Sequence, residues 1–268
     1  MHKTFSHIRA WISGALLLAA CVAGTGVAEA QAVRSLKDAM FGHNSVDGRT
    51  QTPPKVAHFV SEDGESFVFD KSGPMALMRF DGEDEVWTLT PSQGARGDVV
   101  YKNDVGEPVL KATRWGGLIL FSDDRPMGDP VAVTGKAEAF TPARISPALL
   151  FQTFAKASRR VSLLLQRNLG FEALDDITPD SAALYANAAS VTSEAIVQVA
   201  GQSQGRRVLE QVRVVHFMDG RPHSASLDKG VLTLKLDVSR GTWGGRPSSK
   251  RISNLILTSY SLADNDHR

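Results

Sequence analysis

The chain has 268 residues, 42% of them hydrophobic and 22% charged, with 30 basic against 29 acidic side chains and a single cysteine. This is the composition of a folded globular protein, and it excludes a disordered chain, a collagen-like repeat and a disulfide-stapled miniprotein. The net charge of +1 leaves no basic footprint for neutralising phosphates, so nucleic acid is not an expected partner.

Residues 1–30 read as an export signal. Lys3 and Arg9 precede the apolar run from Trp11 to Ala23, and Ala28-Glu29-Ala30 offers the small residues of a leader-peptidase site, with Gln31 as the new N-terminus. The run is too short, and too soon interrupted by Gly24 and Gly26, for a permanent membrane span. Leu18-Ala19-Ala20-Cys21 also resembles a bacterial lipobox, in which case Cys21 carries lipid, but the small apolar residues that follow Cys21, where a polar tether is usual, favour cleavage after Ala30. The expected location is the periplasm, or alternatively the membrane surface as a lipoprotein anchored through Cys21. In both cases the mature body is expected to lack an intramolecular disulfide and a thiolate metal site.

Residues 31–55 combine a short amphipathic stretch (Val33, Leu36, Met40, Phe41) with a polar linker ending at Pro53-Pro54. Residues 56–268 are expected to form a single α+β domain. Within 56–134, the runs Val56–Val60, Ser66–Asp70, Met75–Phe80, Glu85–Thr90, Val99–Lys102, Pro108–Arg114 and Leu118–Ser122 alternate with turn pairs such as Asp63-Gly64 and Asp81-Gly82. Such pairs favour tight hairpins, so the segment predicts an antiparallel meander of six or seven strands.

The apolar period then changes. Leu150, Phe151, Phe154, Ala157, Val161, Leu164 and Leu165 recur at steps of three and four, with Pro147 at the first turn, which predicts a helix over 146–168. A second helix is expected from Thr178 to about Ala200, and the two make a helical hairpin within 135–204. Residues 205–268 predict β-hairpins, with strands at Arg207–Met218, Val231–Val238 and Ile252–Tyr260.

The near-zero total charge conceals opposed blocks. Residues 61–130 carry −7, 131–170 carry +5, 171–204 carry −5 and 205–268 carry +5.

Arg79-Phe-Asp-Gly-Glu-Asp-Glu-Val-Trp-Thr-Leu-Thr90 and Arg96-Gly-Asp-Val-Val-Tyr-Lys-Asn-Asp-Val-Gly-Glu-Pro-Val-Leu-Lys-Ala-Thr-Arg-Trp-Gly-Gly-Leu118 resemble an uncharacterised family of exported bacterial proteins, grouped as a domain of unknown function. The resemblance implies a Gram-negative origin and an envelope location, and it supplies no catalytic residue.

Several motifs invite a functional reading. Gly201-Gln-Ser-Gln-Gly205 matches the G-x-S-x-G string of hydrolase elbows, with Asp219 and His223 downstream. That elbow requires a strand before the serine and a helix after it, and here the expected order is reversed. His216, Asp219 and His223 could converge across a hairpin, but a metal site needs three or four donors in defined geometry, and ordinary strand and turn roles are expected. The acidic clusters Asp81–Glu85 and Asp123-Asp124 read as solvated hairpin tips.

Residues 139–171 contain Arg144, Lys156, Arg159, Arg160 and Arg167 without one acid. Such a helix face can meet anionic lipid, or it can pack against the acidic second helix, which is the expected arrangement. Trp87, Trp115 and Trp243 are expected in core or turn-packing roles, with Trp243, in the turn Gly241–Pro247, the best candidate for an exposed indole that stacks on a ligand.

The surface candidates are therefore Arg159, Arg160 and Trp243, with no catalytic residue, no metal ligand and no cofactor nominated. The expected function is a non-catalytic binding or structural component that meets an unknown envelope partner, with membrane contact only through Cys21 lipidation or the basic helix face. The alternatives are an envelope hydrolase and a lipid-anchored assembly factor.

Overall fold

In the computed structural model, residues 54–266 are described, and all belong to a unit spanning 47–268. The export signal, Cys21 and nearly all of the segment 31–55 lie outside the described residues. The fold is α+β.

Eight antiparallel strands close into a barrel in simple meander order. They are β1 (Val56–Ser61), β2 (Ser66–Asp70), β3 (Ala76–Phe80), β4 (Trp87–Gln93), β5 (Val99–Lys102), β6 (Pro108–Ala112), β7 (Leu118–Leu120) and β8 (Asp129–Lys136). Alternation along the strands turns Ala57, Phe59, Phe67, Phe69, Met78, Leu89, Leu110 and Leu120 inward, where they fill the lumen. Eight strands enclose a space just wide enough for side chains to fill. Phe59 stacks on Phe67 with centroids 5.5 Å apart, and Phe69 meets Tyr101 edge-on at 5.1 Å. The expected turn at Asp81-Gly82 forms, with Gly82 at φ +82°, a conformation that other residues adopt only with strain.

The meander thus has one strand more than expected. β8 contains Pro130 and Gly135, which weaken the local strand signal, and it is defined by pairing with β1, more than seventy residues earlier.

A second sheet has the order β11-β12-β10-β9. Its strands are β9 (Gly170–Ala173), β10 (Val214–Asp219), β11 (Ser224–Asp228) and β12 (Val231–Leu236). β9, β10 and β12 run parallel, and only β11–β12 is an antiparallel hairpin, which corrects the expectation of C-terminal hairpins alone. The helices are α1 (Pro147–Leu165), α2 (Ala182–Ala200), the short α3 (Gly205–Leu209) and α4 (Gly241–Gly244), and α5 (Ser249–Asp266).

α1 begins as its sequence dictates, with the Ser146 hydroxyl accepting from Leu149 N–H and Pro147 in the first turn. α1 and α2 pack together with β9 between them in sequence, so the expected helical hairpin contains a strand. One face of the second sheet presents Val215, Phe217, Leu232 and Leu234 to the helices, where Phe154 of α1 meets Phe217 edge-on at 5.1 Å.

Two expected strands are corrected. Ile252–Tyr260 lies within α5, and the first part of Arg207–Met218 forms α3. The apolar positions Ile252, Leu255 and Ile256 suit a helix face as well as a short strand, and the start signal for α5 comes from a distant part of the chain. Ser248 caps it, its Oγ accepting from Arg251 N–H at 3.1 Å. The Asp104 carboxylate of the β5–β6 hairpin accepts from Ser248 N–H at 2.9 Å and from its hydroxyl.

Candidate functional site

The acidic hairpin tips of the barrel meet the basic segment that opens α5. Arg246 is 4% exposed and Glu85 6%, with Nη1 donating to Oε1 at 3.0 Å. Arg246 Nη2 also donates to the Val86 carbonyl at 3.0 Å, and its Nε donates to Asn187 Oδ1 on α2. Burial pulls the Arg246 guanidinium below its ordinary range, and Glu85 acts in the opposite sense. Glu85 is therefore a buried structural partner, a correction to the reading of Asp81–Glu85 as solvated. Asp123 remains outside, pairing with Lys250 at 3.0 Å.

Beside this pair lies a cleft of about 680 Å³ between α1, α2 and the β3–β4 loop. Helical spacing builds two of its walls. Thr153, Lys156, Ala157 and Arg160 share one face of α1, and Asn187, Ser190, Val191, Glu194 and Gln198 share one face of α2. The barrel supplies Glu83, Asp84, Glu85 and Trp87. Arg160 reaches across to Glu194 at 2.8 Å.

Ser193 is 2% exposed, and its hydroxyl makes no hydrogen bond. Trp87 Nε1 is buried beside the Glu83 carboxylate. A buried polar group without a partner costs roughly 1–3 kcal/mol, so the Ser193 hydroxyl is a costly feature of the cleft wall.

Glu83 stands at the mouth of the cleft. Desolvation raises its carboxyl above the ordinary glutamate value, and the charges of Glu85, Glu194 and Glu65 add to that. Hydrogen bonding from the Trp87 N–H acts in the opposite sense.

The residues singled out in the sequence take different places. Arg160 is committed to Glu194, while Arg159 faces solvent from the outer side of α1 and has no ion-pair partner among the described residues. Phe151, expected on the packed face, is 76% exposed. Trp243 is half-buried with its ring edge-on to Phe140 at 6.1 Å, because the Gly241–Pro247 turn packs against the barrel wall. The openly exposed indole is Trp115, over which the Arg114 guanidinium sits at 4.1 Å.

The hydrolase constellation does not assemble. Tyr185, near the start of α2, donates to Asp219 Oδ1 at 2.9 Å, whereas Ser203 follows the far end of that helix. At about 1.5 Å per residue, the intervening length is more than about 20 Å. His216 and Asp219, three residues apart in β10, project from opposite faces of the strand, and His216 approaches Glu172 at 3.4 Å. His223 is half-buried with Nδ1 unpaired. Among the described residues no group of three or more His, Cys, Asp or Glu is placed to hold a metal ion.

Sequence reading missed Ser193, Asn187 and the Glu85–Arg246 pair, and weighed Trp87 only as one of three aromatics. The available signal was the polar stripe Asn187, Ser190, Glu194 and Gln198 on a helix otherwise rich in Ala and Val.

A family model described as a domain of unknown function, DUF4908, matches residues 35–256. The chain belongs to this family. No curated protein and no solved structure matches the chain.

Proposed function

We propose that the protein is an exported, non-catalytic binding component of the cell envelope that takes a small polar ligand in the cleft between α1, α2 and the β3–β4 loop. The observation that carries this reading is the cleft itself, about 680 Å³ and lined by polar and charged side chains of three elements, among them Glu83, Lys156, Asn187 and Glu194. Export is supported by the leader-like residues 1–30, with either Gln31 or a lipidated Cys21 as the mature N-terminus. An intact-mass measurement on protein recovered from cell fractions separates those two starts and tests the location. No helix among the described residues is long and apolar enough to cross a membrane.

The binding reading is tested by NMR of the tryptophan indole N–H groups while low-mass fractions of an envelope extract are added. The Trp87 resonance is expected to shift and saturate while that of Trp243 stays fixed. If no fraction moves Trp87, the cleft is not a binding site.

A second reading concerns the outer side of α1. Phe151 and Leu163, 76% and 69% exposed, lie at eight- and four-residue steps from Arg159, with no acid between residues 139 and 171. The surface there mixes cations with exposed apolar side chains, which suits an anionic lipid surface. Co-sedimentation with vesicles containing phosphatidylglycerol is expected to weaken in Arg159→Glu and in Phe151→Ser. Unchanged sedimentation in both variants discards this reading.

A further inference from the structure

We infer that the basic end of the barrel is the face on which the protein docks to a membrane surface rich in anionic lipid, with Trp115 at the headgroup level. The inference is independent of the cleft and concerns a surface other than the outer side of α1.

In an up-and-down meander, successive loops alternate between the two ends of the barrel. The loops β1–β2, β3–β4, β5–β6 and β7–β8 make one end. They are acidic, with Asp63, Glu83, Glu85, Asp104 and Asp123 among them, and their one base, Arg125, is paired with Asp63. This is the end that meets the basic segment opening α5. The loops β2–β3, β4–β5 and β6–β7 make the other end, where the chain also enters β1 and leaves β8. Each of these three loops carries a cation, Lys71, Arg96 and Arg114, and Lys55 and Lys136 stand at the entry and the exit.

Contacts gather these cations into one rim. Lys71 N–H donates to the Lys55 carbonyl at 2.7 Å, and Lys136 pairs with Ala57 across β8 and β1. The Asp98 carboxylate of the β4–β5 tip accepts from Arg114 N–H at 3.0 Å, which joins the tip bearing Arg96 to the tip bearing Arg114. Lys71 Nζ lies 5.8 Å from the ring centroid of Phe69, a lumen residue, and so stands over the filled mouth of the barrel. None of the five cations has an ion-pair partner among the described residues. The neighbouring acids are already engaged. Asp70 is buried and accepts from Ser72 and Phe140 N–H, and Asp98 is tied to Arg114.

Trp115 gives the rim its second property. Thr113 closes the β6–β7 turn, its hydroxyl accepting from Gly117 N–H and its carbonyl from Gly116 N–H, each at 3.0 Å. Arg114 and Trp115 therefore occupy the tip. The indole is 81% exposed, and the Arg114 guanidinium lies 4.1 Å from its ring. An indole carrying a stacked cation suits the boundary between lipid phosphate and hydrocarbon. Cations spread around a rim match a plane of negative charge rather than one small anion, and the same plane repels the acidic opposite end, which fixes the orientation of the barrel.

The test is co-sedimentation of the mature protein, in its unlipidated Gln31 form, with vesicles of phosphatidylcholine alone or mixed with phosphatidylglycerol. Binding is expected only to the mixture, and it should weaken as salt rises. Arg96→Glu combined with Arg114→Glu, both at exposed tips, is expected to weaken it by at least about tenfold, and Lys71→Glu combined with Lys136→Glu by a similar factor. Lipids with brominated acyl chains are expected to quench the tryptophan emission of the parent and not that of Trp115→Ser. Unchanged thermal unfolding establishes that each variant is folded.

Full binding by both charge-reversed pairs overturns the inference, and if Arg159→Glu and Phe151→Ser weaken sedimentation instead, α1 is the membrane face. A protein that no anionic vesicle retains also overturns it, and loss of binding to soluble polyglutamate in the same variants would then assign the rim to soluble polyanions. No cleft residue is altered in any of these variants, so the cleft reading stands or falls separately.

Discussion

Arg246 Nη1 lies 3.0 Å from Glu85 Oε1, and this buried pair ties a hairpin of the barrel to the turn that leads into α5. The two residues are 161 positions apart. Glu85 also lines the cleft, so the joint between barrel and helices and the candidate site share that residue. Removing one partner leaves an uncompensated buried charge, which costs about 3–5 kcal/mol. Arg246→Met is expected to lose that much in urea denaturation. Arg246→Met combined with Glu85→Leu should recover part of it, though not all, because Glu85 also accepts from Ser249 N–H. A single variant within about 0.5 kcal/mol of the parent would show that the pair carries no such weight.

Asp104 makes the neighbouring joint. Its carboxylate receives Ser248 N–H, the Ser248 hydroxyl and Arg251 Nε, and its carbonyl receives Arg251 Nη2. Negative charge at the N-terminus of α5 also complements the helix dipole. Asp104→Ala is expected to cost about 2 kcal/mol and Ser248→Ala about 1 kcal/mol. Because the two side chains act as one unit, the double variant should cost less than the sum by at least about 0.5 kcal/mol. Strict additivity in a denaturation cycle would refute that coupling.

Gly205 explains a motif that looks catalytic in the sequence. A Cβ at this position would stand 1.6 Å from the Val199 carbonyl oxygen and 2.6 Å from its carbon, both backbone atoms that cannot yield. The last glycine of Gly201-Gln-Ser-Gln-Gly205 is thus required by the close approach of the turn to the end of α2, while Ser203 is exposed. Gly205→Ala is expected to destabilise by several kcal/mol and Ser203→Ala by less than about 0.5 kcal/mol. Thermal unfolding of the two proteins checks this, and a Gly205→Ala variant as stable as the parent contradicts the packing explanation.

The barrel strands and α1 were legible in the sequence because their signals are local: alternation, Asp-Gly turns, a serine cap and a period of 3.6. β8 and α5 were obscured because what fixes them is distant, β1 for one and Asp104 for the other. The opposed charge blocks suggested a pairing of the two helices, which Arg160 and Glu194 make, but not that the acidic barrel meets the basic C-terminal segment. Glu85 looked like another solvated hairpin acid because its burial depends on Arg246. The cleft was still less visible. Ser193 is one small residue on a helix of small residues, and its missing hydrogen bond is a property of three elements packed together rather than of any spacing.

His223 supplies a pH signature for the fold. Burial lowers its pKa below the ordinary value, and the positive charges of Arg240 and Arg251 outweigh the opposing carboxylates of Asp104 and Asp237. The folded protein therefore holds this imidazole neutral at pH values where the unfolded chain already protonates it. Between the lowered pKa and the unfolded value near 6.5, the unfolded state binds more protons, so acidification through that window favours unfolding. Midpoints of urea denaturation measured from about pH 7 down to about pH 5 should fall more steeply for the parent than for His223→Gln, which cannot titrate. The raised carboxyls of Glu65 and Glu83 act in the opposite sense but are common to both proteins, so the difference between the two slopes isolates the histidine. Parallel slopes would remove His223 from the acid response of the fold.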